Sequence, residues 1–246
     1  MNISALTDIG GYRETNQDKY DFGTFPSGDS WAVVCDGMGG VSGGQIASVL
    51  CVERVAAAIK RGYRENLSVK AARNLLQSAI TTANTVVFEK AQAEPEYHGM
   101  GTTVVAVIVV KSIAIIAHVG DSRAYHIAGN IIKQITKDHS LVQLMIDNGK
   151  ITPEEALTHP DKNIITRAVG VVNFVDVDFD VSDLKSGEKL LICTDGLSGS
   201  VNDEEMISIT NEYSNSSAEK LVEKALLNGS RDNVTVVVMS AEPQGE

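Results

Sequence analysis

Residues 103–135, TVVAVIVVKSIAIIAHVGDSRAYHIAGNIIKQI, hold four apolar runs separated by short polar breaks. Runs this short and this rich in Val, Ile and Ala read as strands, at Thr103–Val110, Ile113–Val119, Arg123–Ala128 and Ile131–Ile135. Lys111-Ser112 and Gly129-Asn130 have the spacing of hairpin turns, so consecutive strands are expected to run antiparallel. A meander of this kind excludes a purely parallel, doubly wound sheet.

Working outward, further strands are expected at Ile3–Asp8, Trp31–Cys35, Phe174–Phe179, Leu190–Cys193 and Val234–Met239. Two long helical segments, about Gly44–Arg61 and Ser68–Glu94, precede the meander. In the second, Val69, Ala72, Leu76, Ala79, Ala83 and Val87 recur at helical spacing, so one face packs on a sheet. Shorter helices are signalled at Thr152-Pro153-Glu154-Glu155 and Ser216-Ser217-Ala218-Glu219, where a hydroxyl can cap and a Glu three residues on can reach back. The expected class is a layered α+β domain spanning residues 1–240, with a surface excursion at about 140–165 and a loose tail at 241–246.

The 246 residues, 43% of them hydrophobic, suffice for a large core. A net charge of -11 without a basic stripe argues against a nucleic-acid partner. Cys35, Cys51 and Cys193 have no paired spacing, which indicates neither a disulfide framework nor a thiolate zinc site. No apolar signal-peptide core opens the chain, and Val104–Val119 is interrupted by Lys111 and Ser112 and carries His118. A cytoplasmic, non-membrane protein is therefore expected.

The chemistry concentrates at aspartates. Three apolar runs lead into Asp36-Gly37, Gly120-Asp121 and Asp195-Gly196, and Asp232 precedes the final strand. Where strand ends converge, four carboxylates meet, and such anions stay ionised together only with a cation between them. Oxygen ligands without imidazole or thiolate favour Mg²⁺ or Mn²⁺. The competing reading is that Asp-Gly after a strand is an ordinary turn. The Gly-rich stretch 37–44 lacks Gly-Lys-Ser/Thr and has Ser42 where a dinucleotide loop needs Gly or Ala, so neither nucleotide motif is present.

The ordered series Arg13-Glu14-Thr15-Asn16-Gln17-Asp18, Asp36-Gly37-Met38-Gly39-Gly40, Gly101-Thr102-Thr103, Gly120-Asp121-Ser122-Arg123, Asp138-His139-Ser140, Thr194-Asp195-Gly196 and Arg231-Asp232-Asn233-Val234-Thr235 resembles the bacterial metal-dependent protein phosphatases of type 2C. The resemblance spans nearly the whole chain. It implies a four-layer αββα sandwich, two antiparallel sheets flanked by helices, with the 140–165 excursion as a small helical flap beside the metal centre. It also implies hydrolysis of phosphoserine and phosphothreonine by direct attack of a water or hydroxide bridging two Mn²⁺ or Mg²⁺ ions. Carried over by motif, Asp36 bridges two metals, the Gly37 carbonyl binds the first, and Asp195 and Asp232 bind the second. Asp121 joins Asp195 at a third ion. Asp18 and Asn233 take supporting places around the centre. Arg13 grips the phosphate, because its planar fork can donate two hydrogen bonds to two oxygens.

One departure stands out. Members of the family carry a histidine two or five residues after the bridging aspartate, where this chain has Met38 and Val41. The leaving alkoxide must still be protonated, so the expected donors are metal-held water first and His159 second. His118 reads as a hydrogen-bonded core residue, His139 as a loop-fixing one, and Cys35 and Cys193 as space-filling neighbours of the site. Expected partners are phosphoproteins, including a serine/threonine kinase and its targets, met by a monomeric enzyme. A non-catalytic phosphoprotein-binding relative is the alternative, disfavoured because Asp36, Asp195 and Asp232 are all retained.

Overall fold

In a computed structural model, which describes residues 1–241, the meander forms as the apolar runs require. Strands β1 (Asn2–Asp8), β2 (Asp18–Thr24) and β3 (Ser30–Met38) lead into helices α1 (Gly40–Gly62) and α2 (Val69–Ala93). Then come β4 (Gly101–Thr102), β5 (Val104–Val110), β6 (Ile113–Val119), β7 (Arg123–Ala128) and β8 (Ile131–Gln134). The excursion carries α3 (Leu141–Asp147) and α4 (Pro153–Leu157). The chain continues through β9 (Asp178–Asp183), β10 (Lys189–Cys193), α5 (Asp195–Ser198), α6 (Asp203–Glu212), α7 (Ser217–Leu227) and β11 (Val234–Ser240). Of the tail expected at 241–246, residues 242–246 lie outside the described residues.

One sheet has the order β2-β3-β5-β6-β9, with β4 against the end of β3; the other has β1-β11-β10-β7-β8. All pairings are antiparallel among the described strands. Alternation along β3 and β5 explains the continuous apolar runs. Ala32, Val34, Val105 and Val107 face the other sheet's Leu190, Ile192 and Val237. Trp31, Val33, Cys35, Ala106 and Ile108 face Val55 and Ile59 of α1 and Leu76 and Ile80 of α2. Central strands buried on both faces lose the polar alternation of a half-exposed strand. On the far side Leu191, Val236 and Val238 pack on Met206 of α6 and on Leu221, Val222 and Ala225 of α7. The result is the four-layer αββα arrangement. Truncating a fully buried side chain such as Ile116 to alanine costs about 2–5 kcal/mol. No helix among the described residues is long and apolar enough to cross a membrane.

Several expectations need correction. The strand expected at Phe174–Phe179 lies at Asp178–Asp183, because Val175, Val177 and Phe179 pack on the helical face of the first sheet, not in a ladder along their whole length. Helix α1 begins at Gly40 instead of Gly44, entered through Gly39 at a left-handed φ of 111°. Strand β2 and helix α6 were not anticipated; α6 opens on an Asn202–Glu205 capping box. The Thr152–Glu155 box is present at α4, whereas Ser216 makes no side-chain cap at α7.

Candidate metal and phosphate site

Five aspartates approach one end of the sandwich, where the two sheets meet. Asp18 opens β2 and pairs in register with Asp36 near the end of β3. Asp121 lies just past β6, Asp195 at the first position of α5 after β10, and Asp232 just before β11. Asp36, Asp121, Asp195 and Asp232 line an open cavity of about 680 Å³ together with Arg13 and Asn233.

Neither Asp-Gly pair is a simple turn. Gly37 lies within β3, and a Cβ there would come 2.0 Å from the Gly44 carbonyl oxygen of α1. Gly196 lies within α5, and a Cβ there would come 2.0 Å from the Asn233 carbonyl oxygen. Both glycines permit backbone to touch backbone, which draws the neighbouring aspartates towards one cavity. The Gly101-Thr102-Thr103 segment then holds Asp36 from its backbone. The Thr102 hydroxyl donates to the Asp36 carbonyl at 2.8 Å, the Thr103 amide donates to the same carbonyl at 2.8 Å, and the Asp36 amide donates to the Thr103 hydroxyl at 2.9 Å.

Asp18 joins the sheets. Its Oδ2 accepts from the Thr194 hydroxyl at 2.8 Å and the Thr235 hydroxyl at 2.7 Å, both on the second sheet's side. Its Oδ1 and the Oδ1 of Asp195 are buried with no hydrogen-bond partner. Burial pushes the Asp18 carboxyl up to about 7, against the pull of the two threonines, with Asp195 and Asp232 adding repulsion. Burial, then Asp195 and Asp138, push Asp121 up to about 7. Burial and Asp232 raise Asp195 to about 6, and burial with four surrounding aspartates drives Asp36 well above the ordinary carboxylate range. These acids repel one another, and the opposing pull of Arg123 on Asp121 and of Arg123 and Arg13 on Asp195 does not offset their burial. That is the signature of a site built for an external cation.

The one arginine in reach is Arg13, whose Nη2 lies 2.5 Å from Asp232 Oδ2 and whose side chain is half exposed. Asn233 holds the loop that presents it. Its Oδ1 accepts from the Gln17 amide at 2.8 Å, and its Nδ2 donates to the carbonyls of Ile9 at 2.8 Å and Thr15 at 3.1 Å.

A sequence model described as protein phosphatase 2C matches residues 12–228. The chain belongs to the protein phosphatase 2C family. It is 37% identical to a serine/threonine phosphatase stp of Listeria welshimeri over 97% of this chain and 95% of that protein. This 2C-family chain also superposes on the serine/threonine phosphatase of S. agalactiae with a TM-score of 0.91, at 34% identity, covering 98% of this chain and 99% of that one. The catalytic domain of the phosphatase PstP, solved with two manganese ions, matches at a TM-score of 0.84 and 33% identity over 96% of each chain.

Two histidine questions are answered by hydrogen bonding. In this 2C fold His118, His139 and Asp178 bring ligand-type atoms within 4.8 Å of one another. The Gly120 amide, however, donates to His139 Nδ1 at 3.1 Å, which puts the ring proton on Nε2, and Nε2 faces Asp178 at 3.2 Å. Arg167 occupies the other Asp178 oxygen at 2.8 Å. The cluster is thus a hydrogen-bonded brace beside Gly120-Asp121, in keeping with the loop-fixing reading of His139. His118 is buried, its Nε2 2.9 Å from the Lys137 carbonyl. His159 does not line the cavity; its Nδ1 accepts from the Asp161 amide in a flap turn at 3.1 Å. Cys35 and Cys193 are fully buried and their thiols pushed up by that burial. The roles of Thr102, Thr103, Thr194 and Thr235 were missed in sequence. Their only signal was position, Thr194 and Thr235 within aspartate motifs and Thr102 and Thr103 in the Gly101-Thr102-Thr103 motif.

Proposed function

We propose that this chain is a metal-dependent phosphatase that hydrolyses phosphoserine and phosphothreonine in other proteins, with Asp36, the Gly37 carbonyl, Asp195 and Asp232 holding two Mn²⁺ or Mg²⁺ ions. Asp121 with Asp195 would hold a third. One observation carries the reading: aspartates from both sheets converge on one cavity beside Arg13, with two buried carboxylate oxygens left unpartnered. An all-oxygen donor set of this kind suits hard divalent cations. When bound, those ions supply charge neutralisation and Lewis-acid activation of water at neutral pH.

The chain's own residues do the rest. Arg13, free to turn from Asp232 to a phosphate, can donate two parallel hydrogen bonds and orient the phosphoryl group. Asn233 fixes the loop that carries Arg13, and Asp18 keys the two sheets at the spacing the carboxylates need. The described residues lining the cavity include no serine, cysteine or histidine. That composition fits direct hydrolysis by water once the aspartates are committed to cations and so are not free to form an acyl phosphate. It also supports solvent water at the open mouth as the proton source for the leaving alkoxide, in place of His159.

Residues 1–240 would act as one catalytic domain, with 140–165 as its flap. The enzyme would work as a cytoplasmic monomer on a serine/threonine kinase and that kinase's targets. The test is phosphate release from a phosphothreonine peptide with Mn²⁺ and then with EDTA, paired with calorimetry for Mn²⁺ uptake. Metal-dependent turnover with heat of binding is expected, and turnover unaffected by EDTA would refute it. Trapping phosphoproteins on the Asp195→Asn variant would identify the partners.

A further inference from the structure

Beside the cavity that holds the aspartates lies a second, apolar one of about 250 Å³, and the two share Met38 and Ile165 as a common wall. Its far side is formed by Val171, Val172 and Phe174, exposed by 43%, 46% and 65%. Three large apolar side chains in one short segment facing solvent make the kind of patch that marks a binding surface.

The segment is held in place. Thr102 and Val169 exchange backbone hydrogen bonds of 3.0 and 2.8 Å. Asn84 of α2, itself buried, donates to the Val172 carbonyl at 3.0 Å and accepts from the Gly170 amide at 2.7 Å. Gly170 takes a φ of +90°, and a Cβ there would strike Val87 at 2.1 Å. Val171 is tucked so closely that a Cβ on Gly101 would meet it at 2.7 Å and Met38 at 3.0 Å. A buried amide and a close-packed glycine therefore present this apolar wall in a fixed form. Preformed walls bind with less ordering cost.

Size and position select the occupant. The cavity is smaller than the roughly 300–1,000 Å³ that takes a drug-sized ligand or cofactor. It has room for an amino-acid side chain. Its wall continues into the cavity where the phosphoresidue is proposed to sit, so a peptide leaving that cavity can reach it within about three residues, at roughly 3.3 Å per residue. Of the polar lining residues, Arg167 is already engaged by Asp178, and Thr166 and Asp176 sit beside a wall that is otherwise apolar.

We propose that this pocket receives an apolar side chain of the phosphoprotein substrate, within about three residues of the phosphoserine or phosphothreonine, and so sets sequence preference. The inference rests on the phosphatase reading above. It is tested with a phosphothreonine peptide flanked by alanine throughout and a set in which one leucine is moved from three residues before to three after the phosphoresidue. Leucine at one of these positions raises kcat/KM roughly tenfold in the wild type. Phe174→Asp and Val172→Asp, both at exposed positions, reduce that gain to under twofold while turnover of the all-alanine peptide stays within twofold. The pocket assignment is overturned if no position gains, or if the gain survives in both variants. It is equally overturned if light scattering shows a wild-type dimer that Phe174→Asp dissolves, since the face then belongs to a second copy. Absence of Mn²⁺-dependent turnover of the all-alanine peptide overturns the phosphatase reading itself, and the two failures are told apart by that control.

Discussion

Asp138 and Asp195 are both acids set into the protein near Arg123, and the fold treats them in opposite ways. Asp138 receives Arg123 Nε at 3.0 and 3.1 Å and Nη2 at 2.7 Å, with Gln134 Nε2 adding a bond at 3.0 Å. Asp195 feels Arg123 only at a distance, faces Asp232, and keeps one buried oxygen without a partner. The first carboxylate is neutralised by the chain, and the second is left for something outside it. An acid with its own arginine serves the fold, whereas one among other acids serves a ligand.

The sharpest test removes a charge from the unbalanced group. Asp195→Asn is expected to lower turnover by roughly a hundredfold or more, to weaken Mn²⁺ uptake in calorimetry, and to raise the melting temperature in EDTA because one repelling carboxylate is gone. Near-normal turnover would take Asp195 out of the site. Next, Arg123→Ala strands Asp138 and is expected to cost about 3 kcal/mol in a denaturant titration, with no rescue by Mn²⁺. Rescue by Mn²⁺ would place Asp138 among the cation-seeking acids and break the distinction.

Arg13 stands between the groups, since it pairs with a site carboxylate yet can reach a phosphate. Arg13→Lys keeps the charge and loses the fork, so KM for a phosphopeptide should rise roughly tenfold. An unchanged KM would confine Arg13 to balancing Asp232. The last test is in pH. Asp18 and Asp121 are raised from 3.8 to about 7. Their contribution to stability is thus complete below the ordinary carboxylate value and lost as pH rises through about 7. In EDTA this contribution should pull the melting temperature down from pH 4 to pH 7, and saturating Mn²⁺ should abolish the trend. A pH response identical with and without Mn²⁺ would show that these acids do not face the cation.

The central strands were legible because burial on both faces leaves β5 wholly apolar and β6 and β10 apolar but for His118 and Lys189. The edge strands of the first sheet were not. In β2 and β9, Asp18, Asp21, Asp178, Asp180 and Asp183 disguise ladders that are apolar on one side at most. Phe174 misled because its apolarity belongs to a pocket wall and not to a sheet. The aspartates themselves were visible, but whether Asp-Gly meant a turn or a close approach depended on contacts with Gly44, across the start of α1, and with Asn233, set by the fold. The supporting threonines were invisible for the same reason, since a hydroxyl's partner is set by tertiary contact. His159 had the right chemistry for an acid, and only its bond to the Asp161 amide shows it turned to local use.

The bond from Asp18 across to Thr194 and Thr235 makes the distance between the two sheets part of the active site's calibration. Ile116, at the heart of the inter-sheet layer, is not one of the cavity's aspartates or their partners, yet thinning that layer with Ile116→Val is expected to change how far the two halves of the ligand set stand apart. Random mutagenesis scored for cation affinity would therefore return hits in the greasy middle of the molecule, and pressure, which squeezes that same layer, would act on it as an antagonist of the ion.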